Sequence, residues 1–237
     1  MGGIFRFKQF QVDQQGCAMK INTDGVILGA ISGFATGAVN YRALDIGTGT
    51  GVIAMMLAQR YDSAVIDAVE IDESAAQAAG RNFAASPFSD RLSVFNSDIA
   101  AFEISKAYDL IVSNPPYFVN DLKSFEKRKS IARHAEDSFF ESLVIKSSEL
   151  LSANGLLWLI LPVKQADLVL SLAGSNGLYL NSVVNIQSDV SKPVIRKVIC
   201  LSKHVELIKE ETFYIYESEK VYTDAYRKLL KDFFLAF

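Results

Sequence analysis

Asn114-Pro115-Pro116-Tyr117 is the stretch of this sequence best suited to chemistry on a flat amine. Two adjacent prolines remove two backbone donors and fix φ, so the turn is stiff. The Pro115 carbonyl stays available as an acceptor, and the Asn114 side chain offers a second. Two convergent acceptors can take both hydrogens of a planar NH2 group, while Tyr117 presents an aromatic face for stacking. A conjugated amine is a poor nucleophile because its lone pair is delocalised. Drawing both N–H groups out of plane restores that lone pair. Acceptor dipoles then stabilise the positive charge that grows as the nitrogen attacks an electrophile held in line, about 3–3.5 Å away. Asn114, Pro115, Pro116 and Tyr117 are therefore the candidate catalytic residues. Such an attack needs no metal, covalent nucleophile or strong base.

A second constellation could hold the electrophile. Leu44-Asp45-Ile46-Gly47-Thr48-Gly49-Thr50-Gly51 ends an apolar run and leads into a helical pattern. Its spacing is G-x-G-x-G, whereas a dinucleotide loop has G-x-G-x-x-G. A dehydrogenase is disfavoured on that ground. Asp45 suits an ammonium or a water-bridged cationic ligand, and Gly47, Thr48, Gly49 and Gly51 let the backbone approach closely. Glu70 ends the next apolar run and can accept both hydroxyls of a ribose. Asp98, after the third run, can accept from an adenine amine. Ribose, adenine and an ammonium-bearing tail together describe S-adenosylmethionine, a donor of methyl groups.

These residues need strand ends to hold them. Short apolar runs at Ala43–Ile46, Ala64–Glu70, Leu92–Phe95, Tyr108–Ser113 and Leu156–Leu161 alternate with helical patterns over Gly51–Arg60, Glu73–Ala85, Ser138–Leu151 and Val163–Ala173. Asn154-Gly155 reads as the helix breaker before the fifth strand. That alternation predicts an α/β fold with a mainly parallel sheet covered on both faces. Tyr179–Gln187 and Val194–Lys203 lack a helix between them and read as an antiparallel pair. Residues 1–40 read as an N-terminal extension, residues 41–237 as one domain and residues 221–237 as a closing helix with aromatic anchors. Half of the 237 residues are hydrophobic and the net charge is −3, so the chain is globular and not basic throughout. Any nucleic-acid contact must use a local patch. Cys17 and Cys200 lack disulfide-framework or zinc spacing and read as reduced, mostly buried thiols. No signal sequence or membrane-spanning stretch is apparent, so a cytoplasmic protein is expected.

The glycine loop and the Asn-Pro-Pro-Tyr turn together resemble the class I S-adenosylmethionine methyltransferases that act on planar amines. Phe7-Lys8-Gln9-Phe10, Cys17-Ala18-Met19-Lys20 and Thr23-Asp24-Gly25-Val26-Ile27-Leu28-Gly29-Ala30 narrow the resemblance to the tRNA1(Val) adenosine-37 N6-methyltransferase family. Ile31 departs from it, because the family favours Trp there. The resemblance implies a Rossmann-like fold with a seven-stranded, mostly parallel sheet, an antiparallel last strand and helices on both faces. It also implies methylation of the N6 amine of adenosine 37, in the anticodon loop of a valine tRNA. Lys20–Ala30 can form a lid over the cofactor. Thr23 or Asp24 would cap the helix that follows, and Asp24 is also a candidate for the methionine end of the ligand.

Lys123, Lys127, Arg128, Lys129 and Arg133 follow the Asn-Pro-Pro-Tyr turn with a single acid, Glu126, among them. A basic loop beside an active site suits a phosphate backbone, so these five are the candidate RNA-binding residues. Three alternatives remain at this level: methylation of rRNA or DNA bases, methylation of a protein glutamine amide, and a non-catalytic S-adenosylmethionine-binding module. Glutamine methyltransferases carry a sizeable helical domain before the glycine loop, and only about forty residues precede it here. The oligomeric state stays open between monomer and homodimer.

Overall fold

A computed structural model describes residues 3–17, 19–35, 41–103, 106–116 and 126–237, with backbone alone over 126–136. An N-terminal hairpin of β1 (Ile4–Arg6) and β2 (Gln11–Asp13) precedes α1 (Thr23–Ile31). Then β3 (Arg42–Ile46), α2 (Val52–Arg60), β4 (Val65–Glu70), α3 (Glu73–Ala84) and β5 (Leu92–Asn96) alternate. They are followed by β6 (Tyr108–Ser113), α4 (Glu126–Leu150), β7 (Leu151–Leu161) and α5 (Val163–Ala173). The chain ends with β8 (Tyr179–Gln187), β9 (Val194–Ser202), β10 (Lys209–Tyr214), a small hairpin of β11 (Tyr216–Ser218) and β12 (Val221–Tyr222), and α6 (Asp224–Leu230).

Among the described residues, eight strands form the main sheet in the order β10-β8-β9-β7-β6-β3-β4-β5. Only β9 runs against the rest, pairing antiparallel with both β7 and β8. The expected α/β fold and the antiparallel pair are therefore present. The strand count differs by one, because β10 adds in parallel outside β8. Its residues Lys209–Thr212 are exposed, so it carries no apolar pattern to read. Two further boundaries differ from expectation. Helix α4 begins at Glu126 rather than Ser138, so the basic loop is in large part the opening of a helix. Strand β7 begins at Leu151, and Asn154-Gly155 lies inside it at an irregularity in its pairing with β6. A Cβ on Gly155 would lie 2.8 Å from the Tyr108 carbonyl oxygen, so the close approach of strands selects glycine there, not a helix stop.

Two cores sandwich the sheet. One joins α1, α2, α3 and α6 through Ile27, Met55, Met56, Phe83 and Leu230; the other joins α4 and α5 through Phe140, Leu143, Ala166 and Val169. The N-terminal segment belongs to the first, with Phe7 stacked on Phe10 at 4.4 Å and Phe233 buried nearby. Among the described residues no helix is long and apolar enough to cross a membrane.

Strand order reverses between β3 and β6, since the chain runs outward through β4 and β5 on one side and β7 on the other. In a parallel sheet the crevice at such a reversal, beyond the carboxyl ends of the strands, is where ligands bind. The ends of β3, β4, β5 and β6 and the loops after them bring Gly47–Gly51, Glu70, Asp98 and Asn114–Pro116 to that edge.

Candidate active site

A cavity of about 490 Å³ opens at this crevice, within the range of small-molecule sites. Gly47, Thr48, Gly49, Glu70 and Asp98 line one part of it; Asn114, Pro115 and Pro116 line another. Both sequence constellations thus face one space. Ser113 couples them: its buried hydroxyl donates to the Ile46 carbonyl at 2.8 Å, tying the end of β6 to the end of β3.

The glycine loop is built by hydrogen bonds within the protein. The N–H groups of Gly47 and Thr48 donate to the Val69 carbonyl, and that of Gly51 to the Thr48 carbonyl. The N–H of Gly49 donates to Glu70 Oε2 at 2.9 Å, while Glu70 Oε1 accepts the N–H of Asp72 at 3.0 Å. A loop that cradles phosphates presents its N–H groups to the ligand. This one has spent those of Gly47, Thr48, Gly49 and Gly51 within the protein, which accords with the G-x-G-x-G spacing. Each Glu70 oxygen retains a second lone pair, so the carboxylate can brace the loop and still accept a ribose hydroxyl. A Cβ at Gly47 or Gly49 would meet nothing within 4 Å, and both residues face open cavity.

Three expected ligand contacts lie elsewhere. Asp45 is fully buried and does not line the cavity; its Oδ2 accepts from Thr48 Oγ1 at 2.6 Å and from the Ala54 N–H at 3.2 Å. It fastens the loop to the first turn of α2. Burial pushes its carboxyl up to about 7, against the lowering effect of those two bonds. Gly51 also lies outside the lining. It sits at φ +82° as the cap of α2, and a Cβ would lie 2.5 Å from Phe83 Cε1. Close packing of the loop on α3 explains that glycine. Asp24 pairs with Arg196 Nε at 2.7 Å, linking α1 to β9, and does not line the cavity. Neither Thr23 nor Asp24 caps α1. Asn22 does, accepting the Gly25 N–H at 2.8 Å.

Asp98 stands at the mouth with Oδ1 accepting the Ala100 N–H at 2.9 Å. Sequence reasoning passed over several lining residues. Ile71 is 68 % exposed yet lines the cavity, immediately after the acid of β4, and Ile99 follows Asp98 in the same way. An apolar residue placed directly after each strand-end acid was the available signal. Cys17 also lines the cavity; burial first, then the charge of Glu70, raises its thiol. It is half-buried, whereas Cys200 is buried as expected and pushed up to about 12, mainly by burial. Asn22 and Phe139 are among the other lining residues. Tyr117 and Lys123 lie outside the described residues. Lys127, Arg128, Lys129 and Arg133 fall on the opening turns of α4, where only the backbone is described.

The comparisons bear on this site. The family model for the methyltransferase small domain matches residues 32–170. A protein of Pedobacter heparinus named tRNA1(Val) (adenine(37)-N6)-methyltransferase is 54% identical over 237 residues, spanning all of both chains. This chain belongs to the tRNA1(Val) (adenine(37)-N6)-methyltransferase family. Two solved structures share the fold of this family member. A predicted O-methyltransferase from Agrobacterium tumefaciens superposes with TM-score 0.68 at 18% identity, covering 89% of this chain and 96% of the other. A glycopeptide N-methyltransferase complexed with S-adenosylmethionine gives TM-score 0.54 at 14% identity, covering 71% and 90%.

Proposed function

We propose that this chain methylates the N6 amine of adenine in tRNA with S-adenosylmethionine, at adenosine 37 in the anticodon loop of a valine tRNA. The observation that carries the reading is the shared cavity: a glycine loop with strand-end acids on one side, an Asn-Pro-Pro turn on the other. Full-length similarity to a relative of that name supports the choice of substrate.

Bound S-adenosylmethionine supplies an electrophilic methyl group on a sulfonium. Glu70 takes the ribose hydroxyls and Asp98 the adenine amine, with Ile71 and Ile99 as apolar neighbours and the Gly47–Gly49 backbone alongside. Asp45 acts through the loop it fastens. On the other wall, Asn114 Oδ1 and the Pro115 carbonyl accept the two hydrogens of the target amine, and Tyr117 stacks on its ring. Those acceptors gain strength as the nitrogen becomes positive, so they stabilise the transition state more than the ground state. The proton leaves to water after transfer. Residues 1–40 act as an N-terminal extension from which Lys20, Ile21, Asn22 and Gly25 wall the cavity.

Lys127, Arg128, Lys129 and Arg133, with Lys123 before them, contact the tRNA backbone. Their placement supports this. Cations in the first turn of a helix oppose its dipole, so Lys127, Arg128 and Lys129 do not serve the stability of α4. An anticodon-loop adenine costs only a few kcal/mol to unstack. The enzyme works in the cytoplasm, alongside its tRNA.

Purified protein with labelled S-adenosylmethionine and tRNA1(Val) tests the reading. Wild type places label on N6-methyladenosine. Asn114→Ala loses about 10²–10³ in kcat, the scale for removing one preorganised polar group from a reacting centre, while cofactor affinity stays within threefold by calorimetry. Label on another base, or an active Asn114→Ala, refutes it.

A further inference from the structure

The reactive side chain of Asn114 has a neighbour that settles which way it faces. Its Nδ2 lies 3.4 Å from Oδ1 of Asn22. That oxygen is already committed, because it caps α1 by accepting the Gly25 N–H at 2.8 Å. Only the carbonyl oxygen of the Asn22 amide can accept from an N–H, so the helix cap fixes the sense of Asn22. The Asn114 atom facing it must then be a donor, its NH2. An isolated asparagine amide can sit either way round with nearly the same shape. Here one orientation gives a hydrogen bond, and the other sets two oxygens against each other.

This rests on the proposed amine methylation and deepens it: we infer that Asn22 is a positioning residue that holds Asn114 with its acceptor toward the target amine. The reversed amide would turn NH2 against NH2 and withdraw the acceptor that the reaction needs. Serine or alanine at 22 leaves that sense unassigned. The backbone of α1 runs close to the pair, since a Cβ on Gly25 would lie 3.5 Å from Asn22 Oδ1 and 3.6 Å from Asn114 Nδ2. Both partners are held on rigid supports. Helix α1 is buried from Gly25 to Ala30, its first turn is tied to β9 by Asp24–Arg196, and Arg60 donates to the Gly29 carbonyl near its end. On the other side, the Ser113 hydroxyl fastens the end of β6, directly before Asn114, to β3. A reacting group locked by such support keeps its geometry without the ligand.

Two variants separate this role from helix capping. Asn22→Ser retains a good cap, but its shorter hydroxyl can both donate and accept and so dictates no sense. Asn22→Asp caps and only accepts, so it preserves the sense. Both keep the wild-type Tm within about 2 °C. Asn22→Ser lowers kcat on tRNA about five- to tenfold, the ratio equivalent to one hydrogen bond, with little change in KM for tRNA. Asn22→Asp recovers kcat to within about threefold. In 15N-labelled protein without substrate, the Asn114 side-chain amide protons exchange faster in Asn22→Ser than in wild type or Asn22→Asp. Wild-type kcat in Asn22→Ser, an equal loss in Asn22→Asp, or unchanged Asn114 amide exchange in Asn22→Ser overturns the inference. A wild-type enzyme that labels no adenine N6 fails the functional reading instead, while the amide exchange still tests Asn22.

Discussion

Two alanine substitutions in one loop should fail in opposite ways. Gly49 and Gly51 both have positive φ, +55° and +82°, so a Cβ at either is strained. That strain costs roughly 1–2 kcal/mol, offset by about 0.4–1 kcal/mol because alanine also restricts the unfolded chain. The net for conformation alone is about 0.5–1 kcal/mol at each site. The surroundings then separate them. At Gly49 a Cβ meets nothing within 4 Å, so Gly49→Ala loses only that small amount. At Gly51 it would lie 2.5 Å from the Phe83 ring, which is only 3 % exposed and has little room to move. Overpacking of that kind costs about 1–3 kcal/mol more, so Gly51→Ala loses about 2–4 kcal/mol. Cofactor binding behaves the other way, because the Gly49 methyl projects into the cavity. Gly49→Ala should weaken S-adenosylmethionine at least tenfold while staying close to wild type in stability. Urea unfolding without ligand gives the stabilities, and calorimetry gives the affinities. Equal stability losses would refute the packing argument. Wild-type affinity in Gly49→Ala would refute the assignment of the cavity.

Two further predictions concern charge. The folded Asp45 carboxyl keeps its proton up to about pH 7, whereas an unfolded one loses it near 3.9, so stability falls as pH rises through that window. The shift corresponds to a loss on the order of 4 kcal/mol. A carboxamide has no proton to lose in this range, so Asp45→Asn should gain on wild type between pH 5 and pH 8 in urea unfolding; a constant difference across that range would sink the assignment. Neutralising Lys127, Arg128 and Lys129 together should weaken tRNA binding and reduce the slope of log K against log salt by about 3 if each meets one phosphate. An unchanged slope in filter-binding titrations would place the tRNA elsewhere.

Much of this architecture can be read from the chain because its burial pattern and its chemistry coincide. Strands β3, β4 and β6 are apolar runs closed by chemically distinctive residues, so Gly47, Glu70 and Asn114 announce both a strand end and a site. Strand β10 is illegible for the opposite reason: its first four residues are exposed at the sheet edge. The opening of α4 carries charges with no apolar stripe, so it reads as a loop. Within the site, spacing identifies the glycine loop but not which members face outward. Asp45 and Gly51 look like ligand contacts in sequence and turn inward in the fold. Asn22 is missed by one position, since Asn, Thr and Asp stand in succession and each can cap a helix.

The closed hydrogen-bonding of the glycine loop bears on how the protein coexists with abundant metabolites. An adenosine compound ending in a triphosphate would find few unspent amides there and a carboxylate, Glu70, beside it. Such compounds share the adenine and ribose of the methyl donor, so those moieties give no basis for rejecting them. Rejection falls to the tail, where a concentrated anion is penalised and a zwitterion is not. ATP at cellular abundance should therefore be a poor competitive inhibitor.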